Sequence, residues 1–129
     1  MTFDISKNEL GADGGKALAE ALNGNSIIKE LNMASNNLSD YGEDVTGVIA
    51  VANAIPTMGA LASVNILKND IPVEQAQTLV EIMRSKDLLT TLCGLTRKET
   101  ELDFSKQKLR AGDAVLIAND ISGNGALVK

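Results

Sequence analysis

The chain has 129 residues, a net charge of −5, 44% hydrophobic but only 2% aromatic residues, and no histidine. That length allows one domain, the acidic balance disfavours a nucleic-acid partner, which needs clustered lysine and arginine, and the missing imidazole excludes histidine-based triads and most zinc sites. The single cysteine, Cys93, excludes an internal disulfide and fits a reducing, cytoplasmic compartment.

The first unit, about 1–27, opens on Phe3-x-Ile5-x-x-Asn8-x-Leu10, a short alternating strand that runs into an asparagine turn. A helix follows, with Asp13 as N-cap, Ala17, Leu18, Ala21 and Leu22 at helical spacing, and Gly24 closing it. The second unit, about 28–60, repeats the spacing as Ile28-x-x-Leu31-x-Met33-x-x-Asn36-x-Leu38. Its helix aligns Gly47, Val51 and Ile55 on Gly14, Leu18 and Leu22 once an acidic insertion is placed within 39–46, around Tyr41. The third unit, about 61–88, reads Leu61-x-x-Val64-x-Ile66-x-x-Asn69-x-Ile71, and Pro72 then leads a helix with Ala76, Leu79, Val80 and Met83 inward. Leu89-x-x-Leu92 begins a fourth copy on schedule, but 89–100 has no asparagine at the expected place and reads as a degenerate unit without its helix. The last unit, about 101–129, is Leu102-x-Phe104-x-x-Gln107-x-Leu109 with a helix over 113–121 turning Ala114, Ile117, Ala118 and Ile121 inward.

A period of 28 residues carrying L-x-L-x-x-N-x-L and then G-x-x-x-L-A-x-x-L resembles the intracellular, ribonuclease-inhibitor type of leucine-rich repeat. The resemblance covers nearly the whole chain and departs from the pattern at the 39–46 insertion, at the truncated stretch 92–101 and at Gln107. It implies an α/β solenoid, a short right-handed horseshoe arc with a parallel sheet on the concave face, helices on the convex face, and protein–protein recognition as the role. Such a unit buries its apolar side only by stacking on its neighbours.

Asn8, Asn36, Asn69 and, in the last unit, Gln107 read as a structural ladder inside the turns, where a side-chain amide satisfies backbone groups that leave the sheet. Alternation puts Asp4, Glu30, Asn32, Ser63, Asn65, Glu101 and Asp103 on the concave face, polar to acidic and suited to a basic protein partner. Helix 47–55 is apolar almost all round, so Val48, Ile49 and Ala52 call for a cover: either the insertion with Tyr41 or a second chain. The chain begins in a strand and stops ahead of another, which fits a piece of a longer array or a homodimer through those ends. Gly11 to Ala17 fails the phosphate-loop spacing, with three residues between Gly11 and Gly15 and Ala17 in place of the hydroxyl. No catalytic residue, metal ligand or cofactor is expected, and no stretch reaches the about 18 unbroken apolar residues of a membrane span. The expected function is a non-enzymatic protein-interaction module. A GTPase-regulatory repeat domain or a structural piece of a longer array is the alternative.

Overall fold

The computed structural model describes residues 1–95 and 109–122. Three short strands, β1 (Thr2–Asp4), β2 (Glu30–Asn32) and β3 (Ser63–Asn65), alternate with helices α1 (Gly11–Leu22), α2 (Thr46–Ala54) and α3 (Val73–Arg84), and α4 (Ala111–Ser122) follows. The strands form one parallel sheet in the order β1-β2-β3. Phe3 stands opposite Leu31 and Leu31 opposite Val64, the same 28- and 33-residue offsets at which the sequence motif recurs. The fold is α/β, a parallel sheet with helices.

Equivalent motif positions fill the core. Ile28 and Leu61 enter it ahead of the strands, Leu31 and Val64 within them, Leu38 and Ile71 after the turns, and Leu89 and Leu92 from the segment that follows α3. Each such side chain contributes about 1.5–3 kcal/mol on burial. Phe3, Ile5 and Leu10 are only partly buried, because β1 is an edge strand with a neighbour on one side alone.

The fourth strand fails at a definable step. The Val64 N–H donates to the Thr91 carbonyl, 27 residues on, but the Ile66 N–H reaches Leu92 rather than Cys93, a slip of one residue. Ser63 and Thr91 then make an isolated parallel bridge, Asn65 and Cys93 an antiparallel one, and Gly94, at φ +76°, turns the chain away.

Helix α2 corrects the expectation that its apolar surface needs a cover. It packs between α1 and α3, so Gly47, Val48, Val51, Ala52 and Ala54 are all buried within the domain. Val48 and Ala52 therefore do not form an interface, and Thr46, Asn53 and Ile49, the last 42% exposed, face outward. The α1–α2 contact is close because Gly47 lacks a side chain: a Cβ there would lie 2.6 Å from the Ala12 carbonyl oxygen and 2.8 Å from that of Leu38. The buried face of α1 is Ala12, Gly15, Ala19 and, as expected, Leu22, whereas Ala17 and Ala21 are exposed and Leu18 is half-buried. Asp13 lies inside the first turn of α1 and is not its cap. An oxygen from the insertion does part of that work: the Ala12 N–H donates to Asp40 Oδ1 at 3.1 Å.

Helix α4 is rotated from its expected orientation. Gly112, Asp113, Leu116 and Asp120 are buried, while Ala114, Ala118 and Ile121 are exposed. Gly112 sits directly on the Ile71 carbonyl, where any larger residue would collide.

Candidate interaction face

The face of the sheet opposite the apolar one carries the side chains that alternate with Phe3, Leu31 and Val64. Asp4, Glu30, Asn32, Ser63 and Asn65 line a shallow cavity of about 260 Å³ with Thr2 and Gly94. Three strands thus bring together the sequence-predicted residues of units one to three. Glu101 and Asp103 lie outside the described residues, as does Gln107.

These side chains are held in place locally. At the end of each strand the same acceptor position closes its own turn: Asp4 Oδ1 receives the Ser6 N–H at 3.0 Å, Asn32 Oδ1 that of Ala34 at 3.1 Å, and Asn65 Oδ1 that of Leu67 at 3.2 Å. Asp4 also accepts the Ser6 hydroxyl at 2.7 Å. These bonds, the backbone one first, hold the Asp4 carboxyl below its ordinary range. Glu30 Oε2 accepts the Thr2 hydroxyl at 3.1 Å, which ties the first two strands together across the face.

A second shallow cavity shares Asn32 and Asn65 and is flanked by Lys7 and Lys68. The face is therefore acidic at one end and cationic at the other, a polarity that the acidic reading of the sequence missed. The signal lay in the motif itself: Lys7, Ser35 and Lys68 precede the three asparagines at equivalent positions. All three adopt left-handed backbone, with φ from 59° to 60°, which turns the chain out of the sheet.

Below this face lies the asparagine ladder. Asn36 Nδ2 donates to the carbonyls of Met33 and Ala34 in its own turn and to that of Ile5 in the neighbouring unit, and its Oδ1 accepts the Asn8 N–H at 3.2 Å. Asn69 does the same one unit on, reaching Ile66, Leu67 and Met33 with Nδ2 and receiving the Asn36 and Leu38 N–H groups. Asn8, at the sheet edge, is exposed, and its side-chain amide donates to the carbonyls of Ile5 and Ser6, both within its own turn.

Two residues important to the framework went unrecognised in the sequence. Asp113, 2% exposed, accepts the N–H groups of Lys68 at 2.9 Å and Arg110 at 3.1 Å. Asp120, equally buried, receives the Thr91 hydroxyl and the N–H groups of Leu92 and Cys93, both at 3.2 Å. Their seven-residue spacing, with Leu116 between, places them on one helix face. Acidic residues are almost never fully buried unless partnered, so periodicity alone assigns them to solvent.

Cys93 is buried beside Asp120, and burial first, then that carboxylate, pushes its thiol far above the ordinary range. An unfolded chain ionises a cysteine near pH 8.5 while the native state keeps the proton. The stabilisation is thus complete below that pH and falls as pH rises, by up to about 1.4 kcal/mol per unit. Urea unfolding across the alkaline range should therefore show a flatter pH dependence for Cys93→Ala than for the wild type. Equal slopes would remove Cys93 as the source. Among the described residues no group of three or more Cys, Asp or Glu side chains is placed to hold a metal ion, and no helix is long and apolar enough to cross a membrane.

The 39–46 insertion forms a tight turn rather than a cover. Asp40, Tyr41 and Gly42 are successive left-handed residues, at φ 47°, 58° and 87°. For the two that are not glycine this costs about 1–2 kcal/mol each. The turn is secured by the Tyr41 N–H on Asn37 Oδ1 at 2.7 Å, by the Gly42 N–H on Ser39 Oγ at 2.9 Å, and by Ser39 Oγ donating towards the Asn69 and Asp70 carbonyls. Tyr41 projects from it, 81% exposed. A scan of protein-family models and a search of curated proteins find no match to this chain.

Proposed function

We propose that the chain is a non-enzymatic protein-interaction module of the leucine-rich-repeat type, a short solenoid whose open, concave strand face receives a protein partner. The observation that carries this reading is the set of polar side chains drawn from three parallel strands and fixed by bonds within their own turns. A face already ordered before contact loses less side-chain freedom on binding. The repeated offsets of 28 and 33 residues in the strand pairing support the repeat assignment. Asp4 and Glu30 suit a basic patch on the partner, seated at the acidic end of the face, in a cytoplasmic setting that the single cysteine favours.

Affinity capture from a cell extract tests this with Asp4→Asn/Glu30→Gln. Both residues are exposed, and asparagine keeps the acceptor that closes the Ser6 turn, so stability should stay within about 0.5 kcal/mol of wild type. Partners retained by the wild type should be recovered about tenfold less by the variant, with the deficit largest at low salt. Identical recovery of every partner would reject the face as the binding surface.

A further inference from the structure

We propose that the cationic end of the strand face takes the phosphate of a phosphorylated serine or threonine carried by the protein partner. This rests on the reading of that face as a protein-binding surface and names what the surface selects. The cavity there encloses about 260 Å³, and its polar lining is Ser6, Lys7, Asn32, Ser35, Asn65 and Lys68. Two lysines and no carboxylate line it. Asp4 lines the neighbouring cavity and is committed to the Ser6 N–H and hydroxyl, and Asp113 is buried under the Lys68 backbone N–H. Neither lysine has a salt-bridge partner among the described residues.

Repetition puts these groups side by side. Lys7, Ser35 and Lys68 occupy equivalent left-handed turn positions, and the turns are joined by the Lys7 N–H on the Ala34 carbonyl and the Ser35 N–H on the Leu67 carbonyl. Two strand spacings, about 10 Å, therefore separate the lysine backbones, with Ser35 between them. Hydrogen bonding makes the lining a set of donors. Asn32 Oδ1 and Asn65 Oδ1 accept the Ala34 and Leu67 N–H groups, which fixes both amides and turns each Nδ2 away from its own turn. Among the described residues neither Nδ2 nor the Ser35 hydroxyl has an acceptor. A phosphate monoester brings three acceptor oxygens and a charge of about −1.5 to −2, which matches two ammonium groups and three neutral donors. A carboxylate offers two oxygens and one charge, and satisfies fewer of them. The cavity is shallow, which suits a short phosphorylated side chain. The acidic end shares Asn32 and Asn65 with this cavity, so a second phosphate of a nucleic acid would meet Asp4 and Glu30, whereas a basic residue of a polypeptide would pair with them.

Fluorescence anisotropy with labelled, capped Lys-Ala-Ala-Ala-pSer-Ala-Ala-Ala-Lys and its Ser and Glu counterparts tests this. A lysine four positions from the phosphoserine lies about 13 Å away in an extended chain, towards Asp4 and Glu30 in either docking direction. Bulk charge alone favours the serine peptide, because this chain carries −5. The phosphopeptide should nevertheless bind saturably and at least about tenfold more tightly than either counterpart. Lys7→Asn/Lys68→Asn removes both charges and keeps a residue suited to left-handed backbone, so it should abolish that preference without lowering the urea midpoint. Asp4→Asn/Glu30→Gln should bind all three peptides about threefold more weakly and keep the preference. Phosphopeptide preference combined with unchanged recovery of partners by Asp4→Asn/Glu30→Gln would reject the acidic end and uphold this site, and the opposite pair of results would reject this site alone. Equal affinity for the phosphoserine and glutamate peptides, or a preference that survives Lys7→Asn/Lys68→Asn, would overturn the proposal. So would tighter, lysine-dependent binding of phosphatidylserine vesicles or of a single-stranded oligonucleotide, because the occupant would then be a lipid surface or a nucleic acid.

Discussion

Asp120→Ala should lower the free energy of unfolding by about 3–5 kcal/mol, because three buried neutral donors lose their acceptor at about 1–3 kcal/mol each. The carboxylate stands where the sheet runs out. In β3 the Val64 N–H donates to the Thr91 carbonyl, but at the equivalent position of the next unit the Leu92 N–H donates to Asp120 Oδ1. A helix side chain has taken the place of a strand carbonyl. Its second oxygen serves the Thr91 hydroxyl and the Cys93 N–H, and Thr91 Oγ1 also accepts from Cys93 and Leu95 at 3.0 Å. Alanine would leave these donors buried with no acceptor from α4. Asp120→Asn keeps one oxygen but turns an NH₂ towards donors, and should cost less, about 1–3 kcal/mol. Urea unfolding followed by circular dichroism reads both. A fall in the urea dependence of Asp120→Ala, alongside lost helix signal, would show α4 released ahead of the rest. A change below about 1 kcal/mol would mean that Leu116 and Gly112 dock α4 by packing alone.

What the sequence disclosed follows from what a short period can encode. Alternation inside an eight-residue motif identifies which strand residues enter the core, because neighbouring strands repeat the same pattern and pair in register. Phe3, Leu31 and Val64 were therefore legible, as were the turn asparagines Asn36 and Asn69 and the inner face of α3. Helix faces were harder, since an apolar stripe does not disclose how many neighbours the helix has. Helix α2 looks over-exposed in sequence only because two helices flank it, and α1 buries Leu22 as expected but uses small residues, Ala12 and Gly15, nearer its start, with Leu18 only half-buried. Helix α4 could not be oriented by hydrophobicity at all, because two of its buried residues are carboxylates satisfied by backbone groups 28 and 45 residues away. Alternation along the strands also groups Asp4, Glu30, Asn32, Ser63 and Asn65, and these residues line one polar face of the sheet. Its cationic end was lost because Lys7 and Lys68 reach it from left-handed turn positions rather than from strands.

Asn69→Asp should destabilise the chain by about 3–5 kcal/mol, while the same change at Asn8 should cost less than about 1 kcal/mol. The substitution is nearly isosteric, so packing is conserved and only the donor is lost. At position 69 that donor faces three carbonyls, Met33 and Ile66 at 3.0 Å and Leu67 at 3.3 Å, in a fully buried turn. A carboxylate would place a charged oxygen against all of them. At position 8 the amide meets only Ile5 and Ser6, and water can replace it. Asn36 is fully buried and bridges two turns, so it should fall close to Asn69. The decisive reading is the coupling between neighbours. Asn69 Oδ1 accepts the backbone N–H of Asn36 at 2.9 Å, so each rung orders the backbone on which the next is mounted. A double-mutant cycle of Asn36→Ala and Asn69→Ala should return a coupling energy of at least about 1 kcal/mol. Strict additivity would mean that each asparagine closes its own turn and nothing more. Stability would then be local to each unit, and the sheet face would lose the rigidity on which its proposed role as a preordered binding surface depends.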